Sequence, residues 1–299
     1  MDESLVIRGV IVPLLTPLTG RGKKIDEDSL RALVERLVGR DVHGVMPCGT
    51  TGEGPLLSIA ERKRVVEVVT AAVDGRVPVM AHVGTPVTDE TIDLARHART
   101  CGAEAVSVVT PYFYHLSENA LIEHFCRVAD AVVDTPLFLY NIPQCAGNAL
   151  SRPIVEAIIE QCANVIGIKD SSGDLDSLSS FIGLREGTFQ VICGSDGLLL
   201  QALQAGALAS VSGNANVFPE VVVELLRAFW KGDHDGARRQ QELLDQVRES
   251  LHDGRSISLL KRILESRGLE GGPVRPPLPE ATPEMITVAQ DRLRLLGLL

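Results

Sequence analysis

Short apolar runs alternate along this chain with longer segments in which apolar residues recur at helical spacing. Short apolar runs are typical of buried parallel strands, whereas apolar residues at i, i+3 and i+4 indicate an amphipathic helix. Eight strand–helix units in series predict an α/β fold of the (β/α)8 TIM-barrel type. The eight predicted strands are Gly9–Leu15, Gly44–Pro47, Val77–His82, Ala105–Thr110, Leu137–Tyr140, Val165–Lys169, Gln190–Cys193 and Leu208–Ser212.

The helical pattern is clearest in four segments between these strands. Ser58 stands directly before one of them, as an N-cap residue does. A doubly wound sheet is the structural alternative, but no Gly-x-Gly-x-x-Gly sequence follows the first predicted strand. The four predicted helices are Ser29–Val38, Ile59–Val73, Thr88–Thr100 and Glu118–Val133.

The alternation stops after Asn216. Three helical segments follow without a strand between them, then a stretch rich in glycine and proline, and then a last helix from about Pro283 to Leu296. We predict a barrel domain at residues 1–216 and a helical extension at 217–299 that packs on the barrel.

The sixth predicted strand ends in a lysine. Burial of an unpaired ammonium group is costly, so a lysine at the end of a buried strand needs an explanation. A desolvated amine can attack a carbonyl carbon and form a Schiff base. The alternative is a lysine that extends to water or pairs with Asp170. The other five lysines have polar or charged neighbours, which is typical of solvated side chains. They are Lys23, Lys24, Lys63, Lys231 and Lys261.

Side-chain alternation places Lys169 and Tyr140 on matching faces of neighbouring strands. Lys169 lies opposite the face of Ile166 and Ile168, and Tyr140 lies opposite the face of Leu137 and Leu139. Because adjacent strands are about 4.8 Å apart, the tyrosine hydroxyl could serve the amine as a proton donor and acceptor. The alternative for Tyr140 is a buried tyrosine with a satisfied hydroxyl group.

Polar and glycine-rich segments follow six of the eight predicted strands. The carboxyl ends of barrel strands form the active-site face. In the Gly49–Gly54 loop, backbone N–H groups and threonine hydroxyls could bind an anion such as a carboxylate, helped by the helix that begins near Ser58. The alternative for this loop is a plain glycine turn. The six segments are Gly49–Gly54, Thr110–Tyr114, Tyr140–Pro143, Lys169-Asp170, Gly194–Asp196 and Ser212–Asn214.

Composition narrows the classes of function. The net charge of −10 argues against nucleic acid and anionic membranes as partners. We find no signal peptide and no apolar run long enough to span a bilayer, so we expect a cytoplasmic protein. The six cysteines form no Cys-x-x-Cys pair and no cluster with metal-ligand spacing, so we expect reduced thiols and no metal site.

Three motifs together resemble the dihydrodipicolinate synthase / N-acetylneuraminate lyase family. They are Gly49-Thr50-Thr51-Gly52-Glu53, Tyr140-Asn141-Ile142-Pro143 and Gly167-Ile168-Lys169-Asp170, in that order. The resemblance implies a pyruvate-dependent class I aldolase or lyase on a (β/α)8 barrel. It also implies a homotetramer or homodimer, and no cofactor, because the lysine imine itself accepts electrons.

The resemblance implies a role for each matching residue. Lys169 would form the imine with pyruvate or a 2-keto acid, and Tyr140 would transfer protons. Thr50 would link Tyr140 into a proton relay and, with Thr51 in the Gly49–Gly54 loop, hold the carboxylate of the keto acid. Val211 falls at the position beside pyruvate on the eighth strand.

Two positions depart from the synthase pattern. Phe113 stands where the synthase has a tyrosine that enters a neighbouring subunit's proton relay, and Cys145 stands where the synthase has an arginine that binds the aldehyde's carboxylate. Because an arginine clamp is strong and bidentate, its loss argues against the synthase reaction. The sequence predicts cleavage or condensation of a 2-keto-3-deoxy sugar acid or a 4-hydroxy-2-oxoglutarate-type substrate. Dihydrodipicolinate synthase is the first alternative, a dehydratase or deaminase using the same imine is another, and a keto-acid-binding barrel without turnover is the non-enzymatic one.

Overall fold

The computed structural model describes residues 5–254 and 256–299. All eight predicted strands are present, each within a few residues of its predicted bounds, and the fold is the (β/α)8 barrel with C-terminal helices. A hairpin of two short antiparallel strands, Leu18–Thr19 and Lys24–Ile25, was not predicted. The barrel strands are β1 (Gly9–Pro13), β2 (Gly44–Met46), β3 (Met80–His82), β4 (Ala105–Val109), β5 (Leu137–Asn141), β6 (Val165–Asp170), β7 (Gln190–Cys193) and β8 (Ala209–Val211).

The predicted helices are also present. Ser58 caps α2 through a capping box, in which its hydroxyl accepts the N–H of Glu61 and the Glu61 carboxylate accepts the N–H of Ser58. The helices are α1 (Glu27–Val38), α2 (Ile59–Val73), α3 (Thr88–Thr100), α4 (Glu118–Ala131), α5 (Pro143–Ala146), α6 (Arg152–Gln161), α7 (Leu175–Ser180), α8 (Leu199–Ala205), α9 (Pro219–Trp230), α10 (His234–Ser250), α11 (Ile257–Ser266) and α12 (Pro283–Leu295).

The described residues divide into two compact units. The first joins residues 5–8 to residues 78–211, and within it β3 to β8 pair in parallel, each with the next along the chain. The second joins residues 9–77 to residues 212–299, and within it β1 pairs in parallel with β2. The boundary between residues 216 and 217 stays a prediction.

The C-terminal extension contacts the first two β/α repeats within the second unit. Arg36 of α1 donates a hydrogen bond to the carbonyl of Arg267, whose guanidinium pairs with Glu220 inside the extension at 2.6 Å. The guanidinium of Arg275 binds both carboxylate oxygens of Glu61, at 2.7 and 2.8 Å. Such bidentate pairs fix geometry as well as adding binding energy. The extension is therefore tied to the helix that follows the Gly49–Gly54 loop.

The prediction that Lys261 is solvated was wrong. Lys261 is fully buried, although its charged and polar sequence neighbours indicated a solvated side chain. A signal was present in the sequence, because Lys261 lies four residues after Ile257 and three before Leu264, which is the spacing of an apolar helix face. Its amine is 2.5 Å from the carboxylate of Glu53, itself buried, and this ion pair explains how the lysine is accommodated.

A buried histidine in α4 predicts a pH dependence of stability. Burial lowers the pKa of His124 from 6.5 to about 4. Its Nδ1 lies 2.9 Å from the Thr88 hydroxyl, and its Nε2 is buried with no hydrogen-bond partner among the described residues. Between pH 6.5 and 4 the unfolded chain therefore binds a proton that the folded chain does not. We expect stability to decrease as the pH falls through this range, by on the order of 2–3 kcal/mol.

Chemical denaturation at a series of pH values between 7 and 4 measures this effect. His124→Asn keeps a polar atom near Thr88 but cannot bind the proton, so this variant should lose less stability over the same range. Equal pH dependence in the variant and the original protein would rule out His124 as the cause.

Candidate active site

Lys169 lies at the carboxyl end of β6, buried among side chains of its own unit. It is 4% exposed, and no carboxylate within residues 5–8 and 78–211 forms an ion pair with its amine. This contrasts with Lys261, which has a carboxylate partner. Lys169 therefore does not extend to water, and burial without a counter-charge is the environment expected for a functional amine.

An irregularity in strand pairing brings Tyr140 opposite Lys169. Leu137 pairs with Val165, but the next pair is Phe138 with Gly167, so one residue of β6 is passed over. With continuous pairing Tyr140 would lie beside Ile168, whereas the shift pairs it with Lys169. Bulges commonly redirect side chains next to active sites.

The Lys169 amine lies over the face of the Tyr140 ring. Its Nζ is 3.7 Å from the ring centroid, and the tyrosine is only 2% exposed. The ring is held from a second side by His82, in an edge-on arrangement with centroids 5.6 Å apart. A flat ring packed between two side chains has little freedom, so the relative positions of amine and phenol are well defined.

Gly167 permits this close packing. A Cβ atom at this position would lie 2.5 Å from the Gln190 carbonyl oxygen and 2.5 Å from the Phe138 ring. Atoms cannot approach so closely, so any larger residue would displace β6 from a neighbouring strand. The glycine two residues before the lysine is thus required by packing on both sides.

Asp170 takes no part in an ion pair with Lys169. Its carboxylate accepts hydrogen bonds from the Asn141 amide at 2.7 Å and from the Ser172 hydroxyl at 2.5 Å. Asn141 in turn accepts the backbone N–H of Leu150, and its carbonyl accepts that of Ser171. This network binds together the segments that follow β5 and β6 and leaves the lysine amine to face the tyrosine.

The Gly49–Gly54 loop follows β2, and three of its six backbone N–H groups bond within the loop. Gly52 and Gly54 both donate to the Gly49 carbonyl, and Glu53 donates to the Thr50 carbonyl. These three N–H groups are therefore committed to the turn and do not point at an anion. The first turn of α2 also carries Glu61, which weakens the attraction of that helix for an anion.

The threonines are the groups of this loop that could contact a ligand. Thr50 is exposed and Thr51 is half-buried. Within residues 9–77 and the described part of 212–299, neither the N–H nor the hydroxyl of Thr51 has a hydrogen-bond partner. Thr51 therefore offers two unused donors at the carboxyl end of β2.

The remaining candidate residues lie as follows. Val211 is buried at the last position of β8. Phe113 and Tyr114 are 85% and 70% exposed and pack edge-on with centroids 5.0 Å apart. Cys145 is a free, exposed cysteine in α5. Arg152, the arginine nearest to Cys145 in the sequence, is the first residue of α6.

The described residues contain neither a metal-binding cluster nor a membrane-spanning helix. Across residues 5–254 and 256–299, no three His, Cys, Asp or Glu side chains are grouped so that they could hold a metal ion. In the same part of the chain, no helix combines the length and apolarity needed to cross a membrane.

Comparison with known proteins identifies the family. The model of the dihydrodipicolinate synthetase family matches residues 6–294. The chain is 38% identical to the 4-hydroxy-tetrahydrodipicolinate synthase of Methanopyrus kandleri over 293 residues, which cover 98% of this chain and 97% of that protein. It is 40% identical over 298 residues to an uncharacterized DapA-like lyase of Halobacterium salinarum, covering 99% of this chain and 96% of that one.

Solved structures agree with the sequence comparison. YagE, a prophage protein of the dihydrodipicolinic acid synthase family from E. coli K12 solved in complex with pyruvate, superposes with a TM-score of 0.93 at 31% identity, covering 99% of this chain and all of that one. The dihydrodipicolinate synthase of Aquifex aeolicus superposes with a TM-score of 0.92 at 31% identity, covering 97% of this chain and 98% of that one. Because sequence and structure both match over nearly the whole chain, this protein belongs to the dihydrodipicolinate synthetase family and is a carbon–carbon lyase of the class I aldolase type.

Proposed function

We propose that Lys169 forms a Schiff base with the 2-oxo carbon of pyruvate or of a larger 2-keto acid. The observation that carries this proposal is the position of the Lys169 amine, buried without a carboxylate partner in its own unit and 3.7 Å from the centre of the Tyr140 ring. The amine attacks the carbonyl carbon, and the carbinolamine then loses water to give the imine.

Each step after the attack moves a proton, and we assign these proton transfers to Tyr140, whose ring lies against the Lys169 amine. In the cleavage direction a base removes the proton of the C4 hydroxyl, the C3–C4 bond breaks, and its electron pair moves into the imine to form an enamine. The aldehyde departs, C3 is protonated, and hydrolysis of the imine releases pyruvate and restores the amine. The imine accepts the electrons, so the chemistry needs neither a metal nor an organic cofactor.

The carboxylate of the keto acid needs donors. We assign this role to Thr50 and Thr51 on the loop that begins at Gly49, with Thr50 also joining Tyr140 in a proton relay. The unused N–H and hydroxyl of Thr51 support this assignment, as do the positions of both residues after a barrel strand. Val211, at the carboxyl end of β8, would contact the methyl side of pyruvate.

The second half of the substrate is proposed to be an aldehyde that needs no arginine clamp. Cys145 cannot form a charged pair with a carboxylate, and Phe113 cannot carry a proton. These two residues favour a 2-keto-3-deoxy sugar acid or a 4-hydroxy-2-keto acid as the cleaved substrate.

Condensation of pyruvate with aspartate semialdehyde is the second candidate function. It is favoured by the relative from Methanopyrus kandleri, which is named as the synthase and is 38% identical to this chain. Coupled assays separate the two: release of pyruvate from a keto-deoxy sugar acid supports the aldolase, and loss of pyruvate that depends on aspartate semialdehyde supports the synthase.

Borohydride trapping tests the imine itself. Reduction in the presence of pyruvate should add the mass of pyruvic acid less one oxygen atom to the chain, and peptide mapping should place the addition on Lys169. Lys261 is the internal control, because it is also buried but is paired with Glu53. No adduct would refute the proposal and would favour a barrel that binds keto acids without turnover. An adduct on another lysine would refute the assignment of the imine to Lys169.

We also propose a cytoplasmic homotetramer or homodimer in which the strand-four loop contacts another subunit. Phe113 and Tyr114 support this, because exposed adjacent aromatic rings are characteristic of interfaces. Sedimentation of the intact protein and of a Phe113→Asp variant would test it, since a charge in such a contact should shift the assembly toward smaller species.

A further inference from the structure

The glutamate of the Gly49–Gly54 loop has an unusual backbone conformation. Glu53 has φ of 58° and ψ of 24°, in the left-handed region that residues other than glycine seldom adopt. A glycine would enter this conformation with less strain. The presence of glutamate therefore indicates that its side chain does something at this position.

The backbone on either side of Glu53 has no space to rearrange. A Cβ atom on Gly52 would lie 2.6 Å from the carbonyl oxygen of Leu14, and one on Gly54 would overlap the carbonyl of Cys48. The Thr16 hydroxyl also donates a 2.7 Å hydrogen bond to the Gly52 carbonyl. The loop is thus pressed against the residues that directly follow β1 and β2, and a small change at Glu53 would be transmitted along it.

Among residues 5–254 and 256–299, the Glu53 carboxylate has two partners, both from the C-terminal extension. The Lys261 amine lies 2.5 Å from one oxygen, and the backbone N–H of Arg275 donates to the other at 2.7 Å. The amine also donates to the carbonyl of Pro273 at 2.9 Å. Glu53 therefore joins the loop to both α11 and the segment at residues 273–275.

Arg275 extends the same connection to the other end of the loop. Its guanidinium donates to the Leu56 carbonyl and binds the Glu61 carboxylate through two hydrogen bonds. The loop is consequently held before and after the short turn at residues 54–56. These anchors come from chain segments far away in sequence, so the tertiary fold adds to the loop's own hydrogen bonds in setting its conformation.

We propose that Glu53 is a positioning residue, whose contacts with Lys261 and Arg275 hold the loop in the conformation that presents Thr50 and Thr51 to the carboxylate of the keto acid. This inference rests on the proposed imine chemistry, but it concerns a different step. The loop would govern capture of the keto acid, whereas Lys169 and Tyr140 would govern the reaction of the captured molecule.

Substitution of Glu53 should therefore weaken pyruvate binding more than it slows borohydride trapping at saturating pyruvate. Glu53→Gln keeps the size of the side chain and an acceptor for the Arg275 N–H, but removes the charge opposite Lys261. We expect the pyruvate concentration for half-maximal borohydride trapping to increase by roughly 10–100-fold, the range that a misplaced binding group produces. The trapping rate at saturating pyruvate should change by less than about threefold.

Three further variants distinguish a positioning role of Glu53 from a general loss of stability of the fold. Lys261→Met should also raise the half-saturating concentration, because it removes the other half of the ion pair. The double variant Glu53→Gln/Lys261→Met leaves neither charge of the pair unpaired in the interior. It should therefore fold even if a single variant does not. Its half-saturating pyruvate concentration should still be raised. Glu220→Gln removes the Glu220–Arg267 pair elsewhere in the same unit and should leave the half-saturating concentration unchanged.

The outcomes distinguish this inference from the proposed function. If the original protein forms no adduct, the imine proposal fails. If it forms the adduct, and the double variant folds with an unchanged half-saturating concentration, the positioning role of Glu53 is refuted while the imine chemistry stands. An equal increase in the Glu220→Gln variant would also refute it, because the effect would then follow from general destabilisation.

Discussion

Replacing Lys169 with alanine should reduce turnover by roughly 10⁴–10⁶-fold with any 2-keto acid that the protein cleaves. The variant has no amine at the end of β6 to form the imine, and none of the remaining groups that we have described can replace a covalent electron acceptor. Steady-state assays of pyruvate release measure the loss, and borohydride trapping of the same variant should yield no adduct.

Folding should survive this substitution. The buried amine has no carboxylate partner in its own unit, so its removal breaks no ion pair there. We expect thermal unfolding of Lys169→Ala at or above the temperature of the original protein, which would separate loss of chemistry from loss of structure. Lys231→Ala, at an exposed lysine, is the matched control and should retain full activity. A Lys169→Ala variant with substantial turnover would exclude the imine mechanism.

Replacing Tyr140 with phenylalanine should lower kcat by roughly 10²–10⁴-fold, the usual contribution of a positioned general acid–base group. The phenylalanine ring can keep the contacts with Lys169 and His82, because only the hydroxyl is removed. KM for the keto acid should change little, since the hydroxyl acts on protons that move during the reaction.

Tyr114→Phe removes a hydroxyl from a largely exposed ring and serves as the control. Imine trapping in the Tyr140 variant adds a second readout, because formation and dehydration of the carbinolamine also require proton transfer. We therefore expect the adduct to form slowly in Tyr140→Phe and at the normal rate in Tyr114→Phe. A nearly normal kcat in Tyr140→Phe would assign the proton transfer to another group.

Secondary structure was largely predictable because periodicity is a local property. The bounds of α2 and α3 match the predicted ones at both ends, and β7 does as well. The first strand was predicted to run to Leu15 but ends at Pro13, and the hairpin after it was missed. Two-residue strands carry no period, so no pattern in the sequence could reveal them.

The candidate site was predictable only in part. Tyr140 and Lys169 meet as predicted, although the shift in pairing that sets them side by side is not visible in the alternation along either strand. The glycine-rich loop was correctly placed after β2. The structure shows another role for two of the loop's glycines: the N–H groups of Gly52 and Gly54 bond within the loop, and their missing side chains make room for the carbonyls of Leu14 and Cys48. The binding role of Gly49 stays a prediction.

The sequence by itself determined the order of strands and helices, the carboxyl-end position of Lys169 and the family to which the chain belongs. Only the tertiary structure decided that a shift in pairing sets Tyr140 beside Lys169, and that Lys261 is buried against Glu53. The physical reason is the range of the interactions. Which face a side chain occupies follows from neighbours within a few residues, whereas burial and ion pairing depend on which distant segments the folded chain brings into contact.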